Sequence, residues 1–293
     1  MEKIRLKTGT SSAEICLTGG EVTRWQCEDE DLLWKPDPTY WRRTSPILFP
    51  VIGWLNNDGI IIHGRCRPMT VHGFAKNSRF SVINQAKADA TIELGPSEET
   101  TDLYPFGFRL RIRYSLSVSA LTAEAEVFNL GPDPMPYGFG IHPGFCWPLP
   151  GGRGIQHSLR FATQESNFVP VVTPEGFICR EQRRIPFDGK TLLLEPALFE
   201  SDVLCFLNAK SSRVTFTDGQ HHAITVTSKN FPHWGIWSTP GAEFLCIQSW
   251  TSYGDAPDFA GTIYEKPSMI VLDAGASRCH SVEWKYHPFC VNC

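Results

Sequence analysis

From Phe108 to Ser119 the side chains alternate without a fault between apolar and polar. Phe108, Leu110, Ile112, Tyr114, Leu116 and Val118 fall on one side, and Arg109, Arg111, Arg113, Ser115, Ser117 and Ser119 on the other. A period of two over this length is the pattern of a half-buried β-strand. Leu121, Ala123, Ala125 and Val127 repeat it against Thr122, Glu124 and Glu126. The region Ser119-Ala120 is therefore expected to turn the chain into an antiparallel neighbour, with the arginine face opposite the glutamate face. Shorter runs at 79–83, 90–94, 203–207, 213–217, 223–227 and 268–272 have the same character. No segment carries a sustained 3.6-residue apolar stripe, and 196–205 offers at most a turn or two of helix. The chain reads as all-β with antiparallel sheets, a large sandwich rather than a βαβ fold.

Neither a repeat nor a low-complexity linker divides it, so 1–293 is expected to be a single domain. The only candidate boundary, 131–154, is dense in Pro and Gly. Within it, however, Met135, Tyr137, Phe139 and Ile141 alternate with Pro136, Gly138 and Gly140, which suggests a strand with one bare face. Glycine inside a strand often marks the close approach of a ligand or another backbone, and this strand leads into His142.

With 293 residues and 42% hydrophobic content, a globular chain buries roughly 75% of its unfolded surface. The formal net charge is −4, and Lys and Arg form no run, which argues against nucleic-acid or anionic-membrane partners. The first residues mix charges with apolar side chains, and no stretch approaches membrane-span length. A cytoplasmic protein is expected. Most of the ten cysteines, Cys16, Cys205 and Cys246 among them, sit singly in strand-like apolar stretches, where a thiol packs as a small hydrophobe, a usage that suits a reducing compartment. Cys279, His280, His287, Cys290 and Cys293 gather near the end, but without two paired ligand sets at zinc spacing. They are read as reduced thiols, and no metal or other cofactor is expected.

Three distant segments put one polar group among apolar or glycine neighbours: Val71-His72-Gly73-Phe74, Ile141-His142-Pro143-Gly144-Phe145, and Cys246-Ile247-Gln248-Ser249-Trp250. Two histidines, a third polar residue and a nearby tryptophan suit a pocket that handles protons on a polar ring.

These segments occur in order with the run 41–53, which opens Trp41-Arg42-Arg43 and closes Val51-Ile52-Gly53, and with Gly235-Ile236-Trp237-Ser238 and Glu265-Lys266-Pro267. Over nearly the whole chain this order and spacing resemble the aldose 1-epimerase (galactose mutarotase-like) family. The resemblance implies a β-supersandwich with a sugar cleft, and interconversion of the α and β anomers of an aldose by acid–base ring opening. It implies His142 as general acid, with an unperturbed pKa of about 6.5 suited to the task, and His72 as the second histidine, supporting the ring oxygen. More weakly, it implies Asp202 as a carboxylate on sugar hydroxyls and Arg42 as a cation near the ring substituents. Trp237 and Trp250 either stack on the sugar or fill core, and Arg42 and Arg43 are alternatively solvated strand charges.

Two departures bear on function. Where the family carries a glutamate base, in a segment usually reading Cys-Ile-Glu-Pro-Trp, this chain has Gln248 followed by Ser249. An amide cannot take the proton, and Glu243 and Asp255 are the nearest replacements in sequence. Trp54 stands where relatives often place arginine, which removes a cation and turns preference away from a phosphorylated sugar. The expectation is a small-molecule sugar as partner, with impaired or altered catalysis. The alternative is a non-catalytic sugar-binding or regulatory protein using the same cleft. A lyase or hydrolase on a related sandwich would want a carboxylate pair or a tyrosine, for which the sequence offers no obvious pair.

Overall fold

The computed structural model describes residues 2–288. The long alternating segment forms the strand Phe108–Leu116, which pairs antiparallel with Ala120–Asn129 in the register Phe108↔Asn129 through Leu116↔Leu121. Its apolar side chains are buried, and Ser117 closes the turn by bonding the Ala120 backbone. These two strands lie within a nine-stranded sheet that also contains Asp89–Leu94, Ser277–Pro288, His222–Lys229 and Arg213–Thr217. The arginine face does sit opposite Glu124 and Glu126 in register. The ion pairs, however, run to the other neighbour: Arg111 and Arg109 reach Glu93, at 2.8 and 3.4 Å. Both faces of a central strand are shared between two neighbours, so the register alone does not choose the partner.

A second, six-stranded sheet carries Leu204–Phe206, His233–Trp237, Phe244–Trp250, Gly140–Ile141 and Ile47–Leu48 in that order, with Gly144–Cys146 also pairing Phe244–Trp250. Every strand pair named is antiparallel. Aromatic contacts tie the two sheets together: Phe49 meets Phe108 at 5.1 Å between ring centroids, and Phe145 meets Trp284 at 5.5 Å. One cluster of buried apolar side chains runs from Ile4 to Tyr286. The fold is the expected all-β sandwich. The strand Phe244–Trp250 divides its residues by alternation, Leu245 and Ile247 entering this large core while Trp250 joins a smaller cluster with Leu48, Ile52 and Ile178 on the opposite face.

The bare-faced strand expected at 135–141 is broken in two. Met135–Tyr137 pairs with Ile270–Leu272, and Gly140–Ile141 belongs to the six-stranded sheet. The space beside Gly140 is taken by the side chains of Leu48 and Ile52, 3.1 and 3.2 Å from where a Cβ would stand. The glycine thus admits packing partners from its own fold. One α-helix, Glu98–Leu103, was not anticipated; its six residues are too few to build a stripe. A capping box between Ser97 and Thr100 starts it. The segment at 196–205 supplies a single 3₁₀ turn, Pro196–Phe199.

Candidate functional site

His72 sits in a tight turn in which Gly73 N–H donates to the Thr70 carbonyl at 2.9 Å. Both His72 and Gly73 adopt left-handed backbone, with φ of 65° and 74°. A Cβ on Gly73 would lie 2.2 Å from the Phe49 carbonyl oxygen, so only glycine fits there. The turn aims the imidazole back at Gly53, whose N–H donates to His72 Nδ1 at 3.0 Å. An amide nitrogen can only donate, so Nδ1 is the acceptor and the ring proton resides on Nε2. Burial, with smaller contributions from His142 and Lys76, holds the His72 pKa well below its ordinary value, which keeps this tautomer neutral.

His142 leaves the end of Gly140–Ile141 and lies flat against Trp41, with ring centroids 4.9 Å apart. It meets His72 edge-on at 5.7 Å and Trp237 edge-on at 5.9 Å. Phe244 supports both tryptophans from behind, at 5.3 Å from each. His142 is 6% exposed, and its Nδ1 has no hydrogen-bond partner. Burial pushes its pKa down to about 3, against the ordinary value near 6.5 that suited it to proton donation. In the free protein near neutrality this imidazole is uncharged.

Gln248 follows from the opposite strand. Gly235 is its register partner, and a Cβ there would lie 2.2 Å from the Trp250 ring. The missing side chain lets the Trp250 indole lie across the strand, where its N–H donates to Gln248 Oε1 at 3.0 Å. Indole N–H has no acceptor capacity, so the carboxamide oxygen is fixed by this bond and the NH₂ is left to face outward. Gln248 offers donors at the position where a glutamate would offer an acceptor.

These groups open onto one cleft of about 500 Å³, lined by His72, His142, Gln248, Asp202, Trp54, Trp237 and Trp250 among others. Seven of the eight residues singled out from sequence therefore share it. Arg42 does not: it is exposed and absent from the lining. Its neighbour Arg43 turns inward instead, bonding the Lys76 carbonyl at 2.7 Å and the Asn77 side chain. Among the described residues, Asp202 is the only carboxylate in the lining. One of its oxygens accepts the Val203 N–H at 2.6 Å, and burial raises its pKa above the ordinary value. Glu243 and Asp255, the sequence neighbours considered as replacement bases, are elsewhere. Glu243 is exposed and pairs with Arg153 at 2.7 Å; Asp255 is buried against the Lys266 ammonium and accepts the Asn56 N–H at 3.0 Å.

Trp237 forms part of the wall, whereas Trp250 is 4% exposed and packs largely as core. Trp54 stands at the rim, 46% exposed. Trp41, Thr239 and Pro240 also line the cleft and were not singled out. Trp41 was legible only as the opening residue of the run 41–53; nothing in the sequence marks the 239–240 loop.

No group of three or more metal-ligating side chains occurs among the described residues. Cys279 and His280 point to opposite faces of Ser277–Pro288, the thiol exposed and the imidazole buried against Tyr137 at 2.8 Å. Cys290 and Cys293 lie outside the described residues. No helix among the described residues is long and apolar enough to cross a membrane.

The aldose 1-epimerase family model matches residues 2–284. Protein LacX of Lactococcus lactis subsp. lactis is 31% identical over 278 residues, which cover 91% of this chain and 93% of that protein. Among solved structures, a galactose mutarotase-like protein from Lactobacillus casei superposes with a TM-score of 0.91 at 25% identity, covering 98% of this chain and 100% of that one. A galactose mutarotase related enzyme from Lactobacillus acidophilus gives 0.90 at 27% identity, with 98% and 97% covered. With this agreement in sequence and in the course of the backbone across almost every residue, the chain belongs to the aldose 1-epimerase family.

Proposed function

We propose that this protein binds a free aldose in the cleft and exchanges its α and β anomers slowly. The observation that carries the reading is the convergence of two neutral imidazoles, 5.7 Å apart between ring centroids, on a cleft with aromatic walls and a single carboxylate. In this reading the anomeric hydroxyl gives its proton to Asp202 as the C1–O5 bond breaks. The bond electrons go to O5, which takes a proton from His142 while the His72 Nε2–H holds it. Rotation about C1–C2 of the open aldehyde and reversal of both transfers then produce either anomer.

Slowness follows from the same groups. A histidine with a pKa of about 3 donates as neutral imidazole rather than imidazolium, a far weaker acid. Gln248 stands where the family's base is expected, and its oxygen is already engaged by Trp250. That engagement also favours a second reading, in which the cleft binds sugar without turnover.

Magnetisation transfer between the two anomeric protons of an equilibrated hexose separates the readings. Exchange above the buffer rate that disappears in His142→Ala, with binding retained, supports slow turnover. Binding with no exchange in the wild type supports the second reading, and no binding of any hexose removes both.

A further inference from the structure

A groove of about 700 Å³ shares no lining residue with the cleft. It forms where the strand His222–Lys229 ends. Asn230 takes left-handed backbone, with φ of 65°, and its Nδ2 donates to the Cys279 carbonyl at 2.8 Å, which ties the turn to the strand Ser277–Pro288. Phe231 then packs on Phe139 and His280, at 5.9 and 5.2 Å between ring centroids. Two backbone bonds draw the loop at 209–212 alongside: Ala209 N–H donates to the Pro232 carbonyl at 2.9 Å, and Ser228 N–H to the Ser212 carbonyl at 2.8 Å. Three segments distant in sequence thereby bring the exposed residues Lys210, Lys229 and Arg278 to one groove.

Its electrostatics are one-sided. No carboxylate among the described residues lines it, in a chain whose formal net charge is −4. None of the three cations forms an ion pair among the described residues. Glu165 reaches the same loop but has both oxygens on backbone N–H groups, those of Lys210 and Ser211, at 3.2 and 2.6 Å.

The buried part of the lining adds a second observation. Ser211 Oγ accepts the Thr163 N–H at 2.9 Å, and Thr251 Oγ1 the Phe139 N–H at 2.8 Å. Ser228 also lines the groove and is 4% exposed, yet its hydroxyl has no partner among the described residues. A hydroxyl so enclosed ordinarily has one.

We infer that the groove binds a phosphate group, free or as the monoester of a small molecule, among Lys210, Lys229 and Arg278, with one phosphate oxygen on the Ser228 hydroxyl. A guanidinium fork takes two phosphate oxygens and ammonium groups add point charge, whereas a carboxylate has only two oxygens for four partners. The volume lies within the range of about 300–1,000 Å³ usual for small-molecule sites, which leaves room for the rest of an ester.

Calorimetric titration of the full chain at constant ionic strength, with inorganic phosphate and glycerol 3-phosphate as probes, tests it. At least one should bind, and Arg278→Gln and Lys210→Gln should each weaken it about tenfold. Tighter binding of glycerol phosphate assigns the site to an ester, and tighter binding of inorganic phosphate to the free anion. Lys87→Gln removes an exposed charge elsewhere and should leave the affinity unchanged; a loss as large as that of Arg278→Gln would make net charge the cause and overturn the inference. Ser228→Ala should weaken the probe several-fold while the thermal midpoint of the unliganded protein stays level or rises, because no bond within the fold is lost. A midpoint that falls while affinity is kept overturns the inference. Lys76 offers a competing site beside the cleft, where its ammonium bonds the Val71 carbonyl and the Thr70 hydroxyl. Affinity lost in Lys76→Gln and kept in Arg278→Gln would put the anion there instead. Binding that survives both Arg278→Gln and Lys210→Gln, or no binding of either probe, overturns the inference as well, and none of these results touches the aldose reading of the cleft.

Discussion

Trp250 decides what Gln248 can do. Because the indole N–H is a donor only, it captures whichever acceptor stands at 248 and leaves the other end of that side chain for a ligand. With glutamine the free end is an NH₂; with glutamate it would be a carboxylate oxygen. On the proposed reading the proton acceptor is Asp202, the carboxylate that lines the cleft among the described residues, held in left-handed backbone at φ 68° and raised in pKa by burial. Its base form exists only above that raised pKa, so the exchange rate should fall as pH is lowered through it. Asp202→Asn should remove this acid limb and bring exchange down to the buffer rate, since a positioned base is worth about 10²–10⁴-fold. Magnetisation-transfer rates across pH would read this. An acid limb that persists in the asparagine variant would assign it to another group.

At the scale of elements, the cleft is held by loops that lean on buried charge. Asp255 receives the Lys266 ammonium on one oxygen and the Asn56 N–H on the other, tying the loop after Gly53 to the segment beyond the strand Phe244–Trp250. Both charged side chains are almost fully enclosed. Lys266→Met would leave the carboxylate uncompensated, and breaking such a pair costs about 3–5 kcal/mol. Chemical denaturation should show a loss of that order. A change below about 1 kcal/mol would mean that water replaces the ammonium without penalty. The strands themselves were readable from alternation, because burial of one face is a local property of residues i and i+2. The break at Gly138 was not readable, because the groups that Gly138 meets, the Pro50 carbonyl that accepts its N–H at 2.6 Å and the Ser252 side chain, lie far away in sequence and carry no mark of it. The Asp255–Lys266 pair was hidden for the same reason, and proximity in sequence wrongly offered Asp255 as a base.

For the whole molecule, burial of histidine sets the response to acid. His142, His233 and His280 are each under 10% exposed, and burial lowers their pKa values to about 3, 4 and 4. The unfolded chain takes up these protons near pH 6.5, while the folded chain refuses them until much lower pH. Stability is therefore unaffected above about 6.5 and falls as pH drops from there toward 4, by about 1.4 kcal/mol per pH unit for each such histidine. Thermal unfolding between pH 7.5 and 4.5 should show the midpoint flat above the upper bound and falling steeply below it. A flat midpoint throughout would mean that the histidines protonate in place. The motif order gave the family and most of the cleft, since glycine-flanked histidines leave a local trace. The charge state of His142 left none, because it depends on Trp41 and Trp237 closing over the ring.

On the proposed reading, the carboxamide at 248 limits a site that is otherwise assembled. Anomeric exchange by Gln248→Glu, measured beside the wild type on the same hexose at pH 7, tests this most directly. Trp250 can hold one glutamate oxygen as it holds the amide oxygen, so the other should meet the sugar and the rate should rise by about 10²-fold or more. A variant that binds the hexose and exchanges it no faster than the wild type would contradict the account.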